Sequence, residues 1–358
     1  MEISEVTDPE EFEGMRDEWN ALADNCANPL LYSRHEWLWS WWKHYGEGQP
    51  LHIICARRKG KLKAIFPFTM TDMSVKGLIR FRFMQFIAQG ESAYQDAILA
   101  KGWEKKSVRM MLGLLGDNHR SCEMLYLKKL HPCSFMLSLH QAEQLDGWYS
   151  RLGVSTAVSP FAAIAADPDD FRDSLDKKLR SNIRRGEKRL AEIGTPEYTC
   201  DEFSREFLVS SLADFFHYHE ERWGLYQLEE RGYRRYKPFV TEVFAALAAS
   251  GLGRNVTLKA GDQWLAGQLC ADYGHTRHSL MFARNPAFAA CDLGVVMHFK
   301  AIQDAIHRGL KVFDFGAGEG SYKSHFAGHA TRATALIISR SSIKGRLLTW
   351  FEKRERHV

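Results

Sequence analysis

Apolar positions change their spacing several times along the chain, and each change predicts an element. Glu10 to Ala23 reads as a helix, and Arg34 to Tyr45 as a second one carrying Trp37, Trp39, Trp41 and Trp42. Strands follow at His52–Arg57 and Leu62–Met70, joined by the turn Lys59–Gly60–Lys61. Further strands are expected at Phe81–Ile87 and Ala97–Leu99, then a helix from Trp103 to Leu115. Ser121 to Phe161 mixes strand and helix signals that periodicity does not separate.

The second half opens sharply. Asp167-Pro168-Asp169-Asp170 supplies an N-cap, a proline at the first helical position and acids where the helix dipole favours them. Phe171, Leu175, Leu179, Ile183 and Leu190 then predict one helix of about six to seven turns. Asp201 to Trp223 reads as another, with Phe207, Leu208, Leu212, Phe215 and Trp223 on one stripe and Gly224 as its stop. A third starts near Pro238. Strands are predicted at Val256–Ala260 and Gln263–Tyr273 around the turn Gly261–Asp262, and a return strand at Ser279–Ala283. A helix begins at Gly294, buries Val295, Phe299, Ile302 and Ile306, and stops at Gly309. Strand Lys311–Phe315, a glycine-rich loop and strand Ala333–Ser339 complete the pattern.

One stretch echoes another. HIICARRKGKLKAIFPFTM and NVTLKAGDQWLAGQLCADY share a strand, a polar glycine turn and a longer strand. Each half also opens with helices and passes into sheet, which predicts two copies of one α/β unit. The expected division is a first domain over 1–163, a second over 164–340 and a basic tail over 341–358, which suits a chain of 358 residues.

Composition narrows the function. Hydrophobic residues at 45% and charged residues at 26% are ordinary for a globular protein. No apolar run approaches the roughly 20 residues of a membrane span, and the acidic opening MEISEVTDPEEFEG does not resemble a targeting peptide, so a cytoplasmic protein is expected. The seven cysteines are scattered without C-x-x-C spacing, and the fifteen histidines include no H-E-x-x-H. His217 and His219 point about 200 degrees apart on one helix, so no metal is expected. A net charge of +4 is too small to imply nucleic acid, but seven basic residues cluster between Lys177 and Arg189 and six between Arg340 and Arg356.

Val312 to Gly320, V-F-D-F-G-A-G-E-G, imitates the cofactor loop of a methyltransferase. Its position excludes that reading. Only 38 residues follow Gly320, too few for the βα units such a sheet still needs, and no well-capped helix follows the loop.

Four stretches together carry a family resemblance: D-K-K-L-R-S-N-I-R-R (Asp176–Arg185), H-x-x-R-W (His219–Trp223), the helix opening at Gly294, and F-D-F-G-x-G-x-x-x-Y-K (Phe313–Lys323). With them the sequence resembles the CelD-like, cellulose-biosynthesis-associated acetyltransferases of the GNAT superfamily, relatives of the Fem-type aminoacyltransferases. The resemblance covers most of the chain and is strongest from about 165 to 335. It implies an α+β, mixed α/β fold of tandem GNAT-like domains, each a mostly antiparallel sheet flanked by helices, with the acyl-donor site in the second. It places the donor's pyrophosphate between Ser279–Ala283 and the helix at Gly294, where free amides and the helix dipole favour an anion. RNPAFAACDLGVV lacks the usual Q/R-x-x-G-x-G/A signature of that loop.

Acyl transfer to an amine needs a deprotonated nucleophile, a stabilised oxyanion and a protonated leaving group. Asp314, at a strand end beside the glycine loop, is expected to bind or deprotonate the acceptor, or to cap the loop's own amides. Glu319 is a weaker base candidate. The resemblance gives Tyr322 the task of protonating the leaving thiolate; packing under the loop is its plainer role. Lys323 is expected to pair with Asp314 or a donor phosphate, or to stand on the surface. His219 shares an apolar stripe, which suits a core residue, but an ordinary histidine pKa of about 6.5 also suits proton transfer. Lys177, Arg180, Arg184 and Lys188 form one basic ridge able to grip phosphates, or simply a solvated face. Asp292, Gly294, Val295, Arg180, Arg184 and Lys323 make up the expected donor-binding set. The tryptophans of 37–42 serve as core or stack on a sugar.

The first expectation is therefore an N-acyltransferase moving an acyl group, acetyl above all, from acyl-CoA to an amine acceptor, an amino sugar or envelope polysaccharide precursor. The alternatives are a Fem-type enzyme using aminoacyl-tRNA and a GNAT-fold scaffold that only binds.

Overall fold

In a computed structural model, all residues are described except 76–78, 120–121, 142–146, 203–204, 231, 319–320 and 342–358, and all other side chains except those of 73–75, 79–80, 141, 155–156, 201–202, 205–211, 226, 228, 230 and 321–322. Contacts divide the chain into two compact units, Met1–Ala157 with Arg332–Val358, and Val158–Thr331.

The first unit contains β1 (Glu2–Val6), α1 (Pro9–Gly14), α2 (Arg16–Ala23), α3 (His35–Tyr45), β2 (Leu51–Arg58), β3 (Lys61–Val75), β4 (Ile79–Phe86), β5 (Ile98–Leu99), α4 (Glu104–Asn118) and β6 (Met124–Leu130). The strand β7 (Trp148–Ala163) leads into the second unit. There α5 (Pro168–Ser174), α6 (Lys177–Ile193), β8 (Pro196–Glu202), α7 (Arg205–Trp223), α8 (Leu225–Glu230) and α9 (Tyr233–Ala249) come first. They are followed by β9 (Gly253–Ala260), β10 (Gln263–Tyr273), β11 (Thr276–Arg284), α10 (Leu293–His307), β12 (Val312–Asp314) and α11 (Ser321–Phe326). Strand β13 (His329–Arg340) leads back to the first unit and lies antiparallel to β6.

Within the first unit the strands run β1-β2-β3-β4-β6-β13, with β5 beside β3. Hairpin neighbours are antiparallel, while β4 and β6 are parallel and α4 lies in the crossover between them. The second unit runs β8-β9-β10-β11-β12, and the last residues of β7 lie antiparallel to β12. Again the hairpins are antiparallel, and β11 and β12 are parallel with α10 between them. Thus β2-β3-β4-α4-β6 and β9-β10-β11-α10-β12 share one topology, and the hairpin repeated in the sequence is repeated in the fold. The architecture is the expected mixed α/β one, mainly antiparallel sheet flanked by helices. Among the described residues, no helix is long and apolar enough to cross a membrane.

Several sequence expectations are corrected: the helix read over Glu10 to Ala23 is two helices, α1 and α2, parted at Met15, and the helix read from Asp201 begins at Arg205 after β8. The single helix read from Phe171 to Leu190 is two helices. Leu175 turns to extended backbone (ψ 151), and the Asp176 side chain caps a new helix by accepting from Leu179 N at 2.8 Å. Leu175 still packs in the core, so its apolar spacing continued through a break that only the cap at Asp176 announced. Trp223 is 47% exposed and does not join the buried Leu212 and Phe215. Helix α9 begins at Tyr233 and contains Pro238 instead of starting there.

Helices α6 and α10 meet at Gly186. A Cβ there would lie 2.6 Å from Val296 Cγ2 and 2.8 Å from the Cys291 carbonyl oxygen, so no side chain fits. This close approach fixes the start of α10 against α6. Of the four N-terminal tryptophans, Trp37, Trp41 and Trp42 are buried, and Trp37 Nε1 donates to Ser92 Oγ.

Candidate functional site

The pairing of β11 with β12 is short. Thr276, Arg277 and His278 lie opposite Val312, Phe313 and Asp314. Beyond that point β12 stops while β11 continues to Arg284. Because α10 is the crossover helix between two parallel strands, its first turn lies at the end where they stop pairing, together with the loop after β12. Aromatic rings join the two features. Phe282 lies 3.9 Å from a Cβ built on Gly294, the Phe282 and His298 ring centroids are 5.3 Å apart, and His298 is 5.7 Å from Phe315.

Arg277 anchors this arrangement. Its guanidinium is fully buried, donates twice to Asp272 (2.7 and 2.9 Å), and reaches Asp304 Oδ2 (2.7 Å) and the Ala301 carbonyl (3.1 Å) on α10. Burial opposes its charge, but the Asp272 carboxylate, by hydrogen bond and charge, holds its pKa above the usual arginine value. Since strand side chains alternate, His278 and Asp314 project to the face opposite α10. Asp314 is 4% exposed. One carboxylate oxygen accepts from Gly316 N at 2.8 Å, and the other lies 3.5 Å from His278 Nδ1. Of the two roles expected for Asp314, the cap on the loop is present in the geometry, and the carboxylate also sits beside a histidine that sequence reasoning missed. Their adjacency comes from a parallel register between positions 36 residues apart, which local spacing does not encode.

The loop itself is tightly held. Gly316 has φ +71, and a Cβ there would come 2.9 Å from the Ser279 carbonyl oxygen. Phe315 N and Gly318 N donate to the Pro160 and Val158 carbonyls, each at 3.0 Å. Lys323 is buried and turned inward, donating to the Gly316 and Ala317 carbonyls at 3.2 and 3.0 Å. Burial lowers its pKa, and the nearby Asp314 charge works against that shift. Glu319 and the Tyr322 side chain lie outside the described residues; the Tyr322 backbone belongs to α11.

At the start of α10, Asp292 adopts left-handed φ and ψ, and its carbonyl accepts from Val295 N and Val296 N. The Leu293 and Gly294 amides precede the first helical hydrogen bond. Gly294 and Val295 are half-buried. The basic side chains that reach this end are not the expected ones. Arg185 donates to the Asp292 carboxylate at 3.1 Å, and Arg189 donates to the Ala290 carbonyl. Arg180 instead faces Asp173 at 3.5 Å, and Arg184 is exposed. Residues 185 and 189 flank the α10 contact at Gly186, so the small residue marking the close approach was the signal that could have found them.

His219 lies on α7. Its ring stacks between Phe215 and Tyr233, and burial lowers its pKa to about 4. It is therefore neutral at pH 7 and a weak base, and the value near 6.5 that recommended it for proton transfer does not apply.

Buried His298 is also lowered to about 4, by burial first, with its hydrogen bond to the Gly294 carbonyl and the charge of Lys323 as smaller influences. Because a carbonyl only accepts, His298 Nδ1 is the protonated nitrogen of a neutral ring, donating to Gly294 O at 2.6 Å. Its folded pKa lies below the unfolded value of about 6.5, so its contribution is intact above that pH and is lost as pH falls from about 6.5 towards 4. Urea midpoints should fall over that window, with His298 contributing up to about 1.4 kcal/mol per pH unit. His298→Gln, which keeps a donor but does not titrate, should flatten the fall; an unchanged slope would remove His298 from the account.

Residues 177–324 match the family model described as an acetyltransferase (GNAT) domain. The parted strands, crossover helix and glycine loop all lie within these residues, so the region that builds the site is the one similar to a GNAT acetyltransferase domain. Among solved structures, one described as FemX is similar over 98% of this chain and 100% of its own, at TM-score 0.63 and 13% identity. A conserved protein of unknown function from Bacteroides thetaiotaomicron VPI-5482 is similar over 94% of this chain and 99% of its own, at TM-score 0.59 and 10% identity. At these identities the likeness is one of fold. No curated protein sequence matches the chain.

Proposed function

We propose that the second unit transfers an acyl group, acetyl in the simplest case, from acyl-CoA to an amine, by direct attack within a ternary complex. The observation that carries this reading is the parting of β11 from β12 beyond His278 and Asp314, with the first turn of α10 at the same end. In the proposal, the Leu293 and Gly294 amides and the positive end of the α10 dipole receive the pyrophosphate, with Val295 beside them. Arg185 and Arg189 lend positive charge there, and Arg180 and Arg184 stand further along α6. The acceptor amine approaches Asp314 and His278, which draw off its proton, and Tyr322 returns one to the departing thiolate. Lys323 shapes the loop from beneath. A CelD-like role on an amino sugar of a polysaccharide precursor, in the cytoplasm where CoA thioesters are made, fits this chemistry.

Aminoacyl transfer from tRNA is the second reading, favoured by the exposed cations Lys177, Arg184 and Lys188 on the outward side of α6. A thermal shift separates the readings. Acetyl-CoA, CoA or a longer acyl-CoA at 100 times its dissociation constant should stabilise the protein by about 2.7 kcal/mol. A response to tRNA alone, with steep salt dependence, would replace the CoA reading with the second, and silence from every donor would leave a scaffold.

A further inference from the structure

A separate cluster lies in the first unit. Glu5 on β1, His52 on β2 and His119 at the C-terminal end of α4 bring one carboxylate and two imidazoles together, with their donor atoms all within 4.8 Å of one another. His52 Nδ1 is 2.5 Å from Glu5 Oε1, and His119 Nε2 is 2.8 Å from Glu5 Oε2. The two rings meet edge to face at 5.0 Å.

The positions are fixed by regular structure. Glu5 lies opposite Ile54 in the β1–β2 ladder, so His52 is its diagonal neighbour on the same face. That face carries α4, whose Val108, Met111 and Leu115 join Ile54 in the core. His119 ends α4 and is held from behind, its carbonyl accepting from Cys122 N and from Arg340. All three side chains are half-buried. His52 and His119 also line a cavity of about 690 Å³, together with Thr71, Asp72, Arg82 and Gln85.

We infer that Glu5, His52 and His119 bind a divalent first-row transition-metal ion of the zinc or iron(II) class, with its remaining coordination positions open to this cavity. Two imidazoles and a carboxylate are a donor set shared by zinc sites with an open position and by non-haem iron sites. Ligand atoms at about 2.0–2.1 Å from a tetrahedral zinc stand roughly 3.3 Å apart. The hydrogen-bonded pairs stand closer than this, at 2.5 and 2.8 Å, and all the donor atoms fall within 4.8 Å, so an ion would enter by displacing the two bridging protons and turning the side chains apart. The sequence expectation of no metal rested on short ligand spacings, whereas these residues stand 47 and 114 positions apart. The site lies outside the acetyltransferase match and does not depend on the proposed acyl transfer.

Calorimetric titration of zinc(II) into the tag-free full-length protein should show one site per chain. His52→Ala and His119→Ala should each weaken it by more than about 100-fold, since loss of a ligand exceeds the usual effect of an outer-sphere change. Glu5→Gln and His119→Gln, which preserve hydrogen-bonding capacity, serve where the alanine variants do not fold. Cobalt(II) should give ligand-field bands without a sulfur charge-transfer band. No uptake, uptake equal in all the variants, or uptake abolished by replacing the exposed Cys133 with Ser would each overturn the site; the first would leave Glu5 as a hydrogen-bonded clamp between two histidines.

Discussion

Replacing Arg277 with Leu is expected to reduce the free energy of unfolding by about 3–5 kcal/mol, read as a lower urea midpoint. The side chain is wholly buried, and removing it breaks a bidentate pair with Asp272, an ion pair with Asp304 and the link to the Ala301 carbonyl. What makes the change severe is the two carboxylates left behind. Asp272 keeps Arg254 at 3.0 Å and Asp304 keeps Arg308 at 2.9 Å, which places the loss toward the lower end of that range. Arg277→Lys keeps a charge but not the planar fork and should fall between. A loss below about 1 kcal/mol would mean that the cluster behaves like a surface pair and does not hold α10 to its strand.

The second large effect concerns Asp314. Asp314→Ala should reduce turnover by about 10²–10⁴-fold, the range for a removed proton-transfer group. Alanine also takes away the acceptor for Gly316 N, so activity alone does not separate chemistry from loop shape. Asp314→Asn does, because its amide oxygen keeps the Gly316 cap while the charge is gone. Turnover lost equally in both variants assigns the effect to the carboxylate. Turnover kept in Asn and lost in Ala would reduce Asp314 to a loop cap.

How much of this was legible follows from the range of each interaction. The β9–β10 hairpin was read at nearly its observed bounds, since alternation and a glycine turn are local and Gly261 takes the positive φ a turn needs. The start of α10 was read to within a residue for the same reason. Strand β7 was not separated, because its last residues are ordered by β12, some 150 positions later. The break at Leu175 was hidden by an apolar spacing that both helices share. At the site, Asp314 and Lys323 stood out because glycines mark their loop. His278, Arg185 and Arg189 did not, because each acquires its role from a neighbour on another element. Glu5, His52 and His119 were invisible for the same reason.

Whether the first turn of α10 holds the phosphates of an acyl carrier decides the proposed function. Gly294→Asp tests this cleanly. A Cβ there comes no nearer than 3.9 Å to the Phe282 ring, an ordinary contact, and an acid in the first helical turn favours folding. Calorimetric titration with CoA should therefore show affinity reduced by more than about tenfold, or 1.4 kcal/mol, in a variant whose melting temperature is unchanged or higher. CoA binding that is equal in the two proteins, or absent from the unaltered one, would contradict the account.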